Sequence, residues 1–298
     1  MSRRAVIAGV NDYSAQNSLP PGWSVDNLGC CLADVQSMQG LLKDAFLFDQ
    51  VTVLTDAAAT RDAIVAAIRD MLAASGPGDV ACFVYSGHGG RFPADLASPG
   101  RYYEAIIPAS GSPITDLDMY DLASQLDQSV VNFTLILDSC YSGGIHEDTP
   151  DSTIRSAGYS DSYLQACVSD MGTVIPCGML LPPGSSALDV NVSNVVGQGN
   201  GVVCSVDDNK SLVPVSKSTV IAACRYDETA TEQNGHGALT QGLLDSIVAS
   251  NPSVSYLELI DQLRDDLQTK LGVTQTPTLL GQENRQDGAV LAPWDTSA

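Results

Sequence analysis

Basic residues are scarce in this chain. Fourteen lysines and arginines face 35 aspartates and glutamates, a formal net charge of −21 over 298 residues. Such a surface repels nucleic-acid phosphates and anionic membranes, which argues against both as partners. It suits cationic partners or substrates, or plain solubility. None of the eight cysteines is spaced as CxxC, so no structural zinc site is expected. No apolar run approaches the roughly 20 residues of a membrane span, and the opening "MSRRAVIAGVNDY" is too short in apolar residues for a signal peptide. Without an export signal, the cysteines are expected as free thiols in a reducing cytoplasm, the alternative being a disulfide among Cys167, Cys177 and Cys204. No glycine-rich phosphate loop follows the first apolar run, where "GVNDYS" stands, which argues against a nucleotide-binding domain. No internal repeat is visible.

Hydrophobic residues make up 44% of the chain, enough for a sizeable core. Five continuous apolar runs read as buried strands: "RAVIAGV" (4–10), "VTVL" (51–54), "DVACFVY" (79–85), "FTLIL" (133–137) and "STVIAAC" (218–224). Helical patterns fall between them at 31–47, 60–74 and 116–128, with Thr60 as a cap, and after them at 237–249 and 253–270, with Ser253 as a cap. A last short strand is expected at 277–280. Strands alternating with helices predict an α/β fold with a mostly parallel sheet between helical layers. The interval 145–217 breaks the pattern: it is rich in Gly, Ser, Pro and Asp and far longer than an ordinary connection. It is a functional loop, an inserted hairpin subdomain, or a segment meant to be cut. One domain is expected over 1–298, in three parts: 1–144, the insertion 145–217, and 218–298.

In an open parallel sheet, catalytic groups gather beyond the carboxyl ends of the strands. His88, in "DVACFVYSGHGG", and Cys140, in "VNFTLILDSCYSGG", each stand just past such an end. If their strands are neighbours, a thiol lies close to an imidazole that can shuttle its proton, as a cysteine nucleophile requires. The glycines that follow leave room for a substrate backbone, and the amides of Gly89 and Cys140 could hold an oxyanion. A lone cysteine at a strand end is more often core than catalyst, and Cys82, inside its strand, is expected to be core. His146 and His236 follow no strand and are expected at the surface.

"YSGHGG" and "DSCYSGG" resemble the histidine and cysteine motifs of caspase-like cysteine proteases, most closely the metacaspases and bacterial orthocaspases. "LGCCLADV" (28–35) resembles the family's Gly-Cys-x-Asn-Asp segment, with Ala33 in place of Asn. "ITDLDM" (114–119) is similar to its acidic stretch, "ACRYDETATE" and "HGALTQGLL" to the start of its small subunit, and "TQTPTLLG" to its closing strand. The resemblance implies a caspase-like (caspase-hemoglobinase) sandwich of about six mostly parallel strands. It also implies peptide-bond hydrolysis by a Cys140–His88 dyad and a cut within 145–217. A monomer is expected, since metacaspases resemble one another in not needing the caspase dimer.

Asp138 lies two residues before Cys140, on the same side of its strand. Asp34 matches the family's second pocket acid, with Cys31 and Ser86 as walls and Asp227 as a third acid. Two carboxylates in a partly desolvated slot favour a guanidinium or ammonium, so cleavage after Arg or Lys is expected. The bland reading is that either aspartate merely caps a helix or turn. Among the basic residues of the insertion, Arg155 in "STIRSAG" is the expected processing site. Calcium, the one cofactor the resemblance raises, would activate rather than take part in the chemistry. Glu104, Asp116, Asp118 and Glu147 fall near its ligand positions, Leu117 replacing one expected acid; otherwise they are solvated loop charges. The expectation is an endopeptidase acting on proteins or peptides with basic residues. The alternative is a non-catalytic caspase-like module that binds basic peptides or partner proteins.

Overall fold

The computed structural model describes residues 1–19, 23–93, 102–126, 131–139, 153–154, 158–159, 218–225, 228–250, 253–281 and 283–294. Six strands form the main sheet: β1 (Arg3–Gly9), β2 (Gln50–Thr55), β3 (Val80–Ser86), β7 (Asn132–Asp138), β8 (Thr219–Ala222) and β11 (Thr278–Leu280). Their order across the sheet is β11-β8-β7-β3-β1-β2, all parallel except the edge strand β11. The longer helices among the described residues are α1 (Cys31–Asp44), α2 (Arg61–Ala73), α3 (Asp116–Ser124), α4 (Ala238–Ser250) and α5 (Tyr256–Asp266). A three-stranded antiparallel sheet of β4 (Gly89–Pro93), β5 (Tyr102–Ile106) and β6 (Ile114–Thr115) leads from the end of β3 into α3. A short hairpin, β9 (Thr231–Gln233) and β10 (His236–Gly237), precedes α4.

The apolar runs at the sheet centre are continuous because both faces are covered. Along β1 and β3 the side chains alternate: Val6, Ala8, Ala81, Phe83 and Tyr85 pack with Ile64, Ile68 and Leu72 of α2. Ala5, Ile7, Cys82 and Val84 pack on the other face with Met38 and Leu42 of α1 and Leu243 of α4. Cys82 is thus a core residue, and burial pushes its thiol pKa up. The run 51–54 departs from the expectation of a buried strand. β2 is the sheet edge, and Val53 is exposed on it.

Helix starts follow local chemistry. The Thr60 hydroxyl accepts the amide of Ala63 at the head of α2. At α5 the cap is Ser255 rather than Ser253, because Ser255 and Glu258 form a reciprocal capping box. Within the 145–217 interval two strand pairings are described. Residues 153–154 pair antiparallel with β9, and 158–159 pair antiparallel with Trp23–Ser24. No helix among the described residues is long and apolar enough to cross a membrane.

Candidate active site

The registers of β1, β3 and β7 end together: Gly9 lies opposite Ser86, and Ser86 opposite Asp138. One step further the amide of Gly87 donates to the carbonyl of Asp138 at 3.3 Å. His88, two residues past Ser86, therefore sits at the carboxyl end of the sheet centre, where the sequence placed it. Cys140, two residues past Asp138, lies outside the described residues, as do Asp227, Glu147 and Arg155.

His88 is buried and held on several sides. Its Nε2 is 2.7 Å from the carbonyl oxygen of Asp26. A carbonyl only accepts, so Nε2 carries the hydrogen and Nδ1 is the basic nitrogen. The His88 amide donates to the Tyr13 hydroxyl at 2.7 Å, and the Tyr13 ring packs tilted on the imidazole at 4.8 Å. The hydroxyls of Tyr13 and Tyr85 are 3.2 Å apart, and Tyr85 donates to the carbonyls of Ile107 (2.6 Å) and His88 (3.0 Å). Burial, then the neighbouring Tyr85, pushes the Tyr13 phenol well above its ordinary pKa, so it stays a neutral hydrogen-bonding group. Gly87 is glycine for a steric reason: a Cβ there would stand 2.7 Å from the Tyr13 hydroxyl and closer still to that of Tyr85. Gly89 opens β4 opposite Ile106.

The loop that supplies the Asp26 carbonyl is pinned by Asn11, whose backbone carbonyl accepts the Leu28 amide. Its side chain accepts the Cys31 amide at 2.9 Å and donates to the Gly29 carbonyl. The same loop opens α1, which carries Asp34 in its first turn.

Three carboxylates are buried here: Asp34, Asp138 and Glu232. Asp34 is 1% exposed. Its Oδ2 accepts from the Ser86 hydroxyl at 2.6 Å, its Oδ1 from His236 Nδ1 at 3.0 Å, and the Gly237 amide donates to both oxygens at 3.0 and 3.2 Å. Asp138 Oδ2 accepts from the amide and hydroxyl of Thr240, at 2.9 and 2.7 Å, in the first turn of α4. Glu232 accepts the amides of Gly29 and Cys30, at 3.1 and 2.9 Å, just ahead of α1, and the Cys31 thiol lies 3.7 Å away. Helix N-terminal amides favour negative charge, so each carboxylate has a donor set suited to it. Ser86 ties Asp34 to the strand position facing Asp138, and Cys31 is buried beside Glu232.

Four of these residues have no role assigned from the sequence, although Glu232, His236 and Thr240 fall within "ACRYDETATE" and "HGALTQGLL". His236, expected at the surface, stands on β10 against Asp34, its side chain 21% exposed. Glu232, Tyr13 and Thr240 were not singled out either. The dipeptide Asn234–Gly235, both residues at positive φ, is a hairpin signal and would have located Glu232 and His236.

Of the acids named for calcium, Glu104, Asp116 and Asp118 are described and Glu147 is not. Asp118 is engaged on both oxygens: Arg61 pairs with it at 2.8 and 3.2 Å, and the amide and hydroxyl of Thr115 donate to its Oδ2. Asp116 begins α3, and Glu104 lies on β5 opposite Arg91. Among the described residues no three His, Cys, Asp or Glu side chains gather as a metal cage.

The Caspase domain family matches residues 2–287. The chain is 28% identical to Metacaspase-9 of Arabidopsis thaliana over 97% of both chains. It is 26% identical to Metacaspase-1 of Schizosaccharomyces pombe, over 93% of this chain and 66% of that protein. To Metacaspase-7 of Arabidopsis thaliana it is 32% identical, over 69% of this chain and 53% of that protein. A crystal structure of a Geobacter sulfurreducens protein shares the fold, with a TM-score of 0.66, 19% identity and coverage of 99% and 100% of the two chains.

Proposed function

The chain belongs to the caspase-domain family and is a cysteine-type peptidase acting on protein substrates, and from that premise we propose that it cuts after Arg or Lys with Cys140 as nucleophile and His88 as its proton partner. The observation that carries the specificity is the pair of buried carboxylates at the sheet end where His88 stands: Asp34, which accepts the Ser86 hydroxyl, and Asp138, which lies opposite Ser86 in the strand register. A buried anionic pair favours a guanidinium or ammonium and disfavours a carboxylate in that place. Cys31 lines the same region, and Asp227 is read as a further acid.

For the dyad, the support is register: Cys140 follows Asp138 by the same two residues that separate His88 from Ser86, on the adjacent strand. The Cys140 thiol gives its proton to His88, and the thiolate sulfur bonds to the scissile carbonyl carbon. The amides of Gly89 and Cys140 are read as donors to the resulting oxyanion. As the carbon–nitrogen bond breaks, the imidazolium returns the proton to the leaving amine. Water then attacks the acyl-sulfur intermediate, His88 taking its proton, and frees the thiol.

Self-processing is read at Arg155. Its flanks, 153–154 and 158–159, pair with β9 of the Glu232 hairpin and with Trp23–Ser24 beside the Asp26 loop. The active unit is read as a single chain, to be checked by sedimentation. Calcium is read as an activator and no step is routed through it; of the acids named for it, Asp118 is engaged by Arg61 and Thr115.

The test is hydrolysis of fluorogenic peptides ending in Arg, Lys or Asp by the wild-type chain and by Cys140→Ala, with fragment masses recorded. Turnover of the Arg and Lys peptides, lost in Cys140→Ala, is expected, with a fragment ending at Arg155. Preference for Asp would overturn the pocket reading. Equal inactivity of both chains, with basic peptides still bound, would favour a binding module.

A further inference from the structure

The β9–β10 hairpin grips the start of α1 at two points. Glu232 takes the amides of Gly29 and Cys30 ahead of the helix. His236 and Gly237 take Asp34 in its first turn. Asp34 hangs from α1, while Ser86 belongs to β3 and the hairpin to the part of the chain beyond the insertion, so three separate elements converge on one carboxylate.

We propose that His236 is a positioning residue for substrate specificity: its Nδ1–H fixes Oδ1 of Asp34 so that the carboxylate meets a substrate guanidinium at a set angle. This rests on the reading of Asp34 as a pocket acid. A carboxylate offers about four acceptor positions and rotates about its χ2 bond unless donors oppose each other across it. The Gly237 amide reaches both oxygens and so sits between them. The Ser86 hydroxyl holds Oδ2 alone. Among the described residues His236, at 3.0 Å, is the side-chain donor on Oδ1, and without it that oxygen keeps the Gly237 amide as its described donor and the carboxylate is less firmly fixed. A guanidinium pairs best when two parallel N–H···O bonds form, which makes such a rotation costly to substrate binding. His236 is partly exposed where Asp34 and Ser86 are buried, so it is also the part of the cradle that can be exchanged without opening the core.

Three variants separate positioning from mere support. In His236→Ala, KM for an Arg-ended peptide rises about tenfold with kcat within about twofold, the loss of one charge-assisted hydrogen bond. Inhibition by benzamidine, a small amidinium that needs only the pocket, weakens in parallel. Alkylation of Cys140 by iodoacetamide, which needs only the dyad, keeps its rate. His236→Asn, which retains a short N–H donor, recovers most of the KM, and His236→Leu, which fills the space without a donor, does not. Melting temperatures show that each variant is folded. Unchanged KM and benzamidine inhibition in the folded Ala and Leu variants overturn the proposal, as does a fall in alkylation rate and kcat alongside KM. Failure of the underlying pocket reading looks different: the wild-type chain itself would show no Arg preference and no inhibition by benzamidine.

Discussion

At the scale of single residues, the site is a set of buried polar groups whose partners come from distant parts of the chain. His88 shows the logic. Its ring is set by the Asp26 carbonyl and its amide by Tyr13, while Tyr85 spans the carbonyls of His88 and Ile107. Each phenol can accept one bond and donate one, so the order His88 amide, Tyr13, Tyr85, Ile107 satisfies every member. Tyr13→Phe keeps the ring against the imidazole but leaves a buried amide without its acceptor, which costs about 1–3 kcal/mol of stability. A small displacement of His88 lowers kcat about tenfold while KM holds. Denaturant melts and steady-state kinetics with an Arg-ended peptide check both numbers. A stability loss with unchanged kcat would reduce the tyrosines to scaffolding. None of this was legible in "GVNDYS" or "VYSGHGG", because a tyrosine reads the same in the sequence whether its hydroxyl meets a backbone amide or nothing. The aspartates were legible only as types. Asp138 ends β7 and holds Thr240 in the first turn of α4, so the bland capping role and the proposed pocket role fall on one residue.

At the scale of elements, the sequence was most informative where burial is two-sided. β1, β3, β7 and β8 were found within one or two residues because both faces demand apolar side chains, and α2 because Thr60 announces it. The short antiparallel pieces were missed. β4, β5 and the hairpin β9–β10 hold two to five residues each, too few for alternation to emerge, and only Asn234–Gly235 marks the hairpin. The start of α5 was misplaced by two residues because Ser253 and Ser255 are the same residue type. The discriminating partner is Glu258, three positions after Ser255, whose carboxylate takes the Ser255 amide at 3.0 Å while the Glu258 amide donates to the Ser255 hydroxyl at 3.2 Å. Ser255→Ala therefore removes the box and costs about 1 kcal/mol, whereas Ser253→Ala leaves the melting midpoint nearly unchanged. Parallel urea titrations of the two variants give the answer directly, and equal losses would mean the helix is held by packing alone.

At the scale of the whole molecule, 35 acids against 14 bases set two tendencies against each other as the pH falls. Protonating surface carboxylates relieves self-repulsion and favours the folded chain. Protonating a carboxylate that folding has stabilised does the opposite, and Asp79 is the clearest such group. Partial burial by itself would raise its pKa, but the amides of Ser2 and Gly76 and the Arg4 guanidinium together outweigh that and hold it below the ordinary carboxylate value. A group whose folded pKa is depressed stabilises fully above its unfolded pKa, near 3.8 here, and loses that contribution as pH falls through the lower folded value. Asp79 ties the chain start to the head of β3, so its contribution concerns the middle of the sheet. Asp79→Asn should lose about 1–2 kcal/mol at pH 7, and the gap to wild type should narrow as the pH falls through the lowered folded pKa, where the aspartic acid becomes neutral. Urea unfolding of both chains across that range measures it. A gap that stayed constant down to the lowest pH would mean that the amides and Arg4 are held as well by the neutral side chain, and that acid sensitivity must be sought elsewhere among the carboxylates.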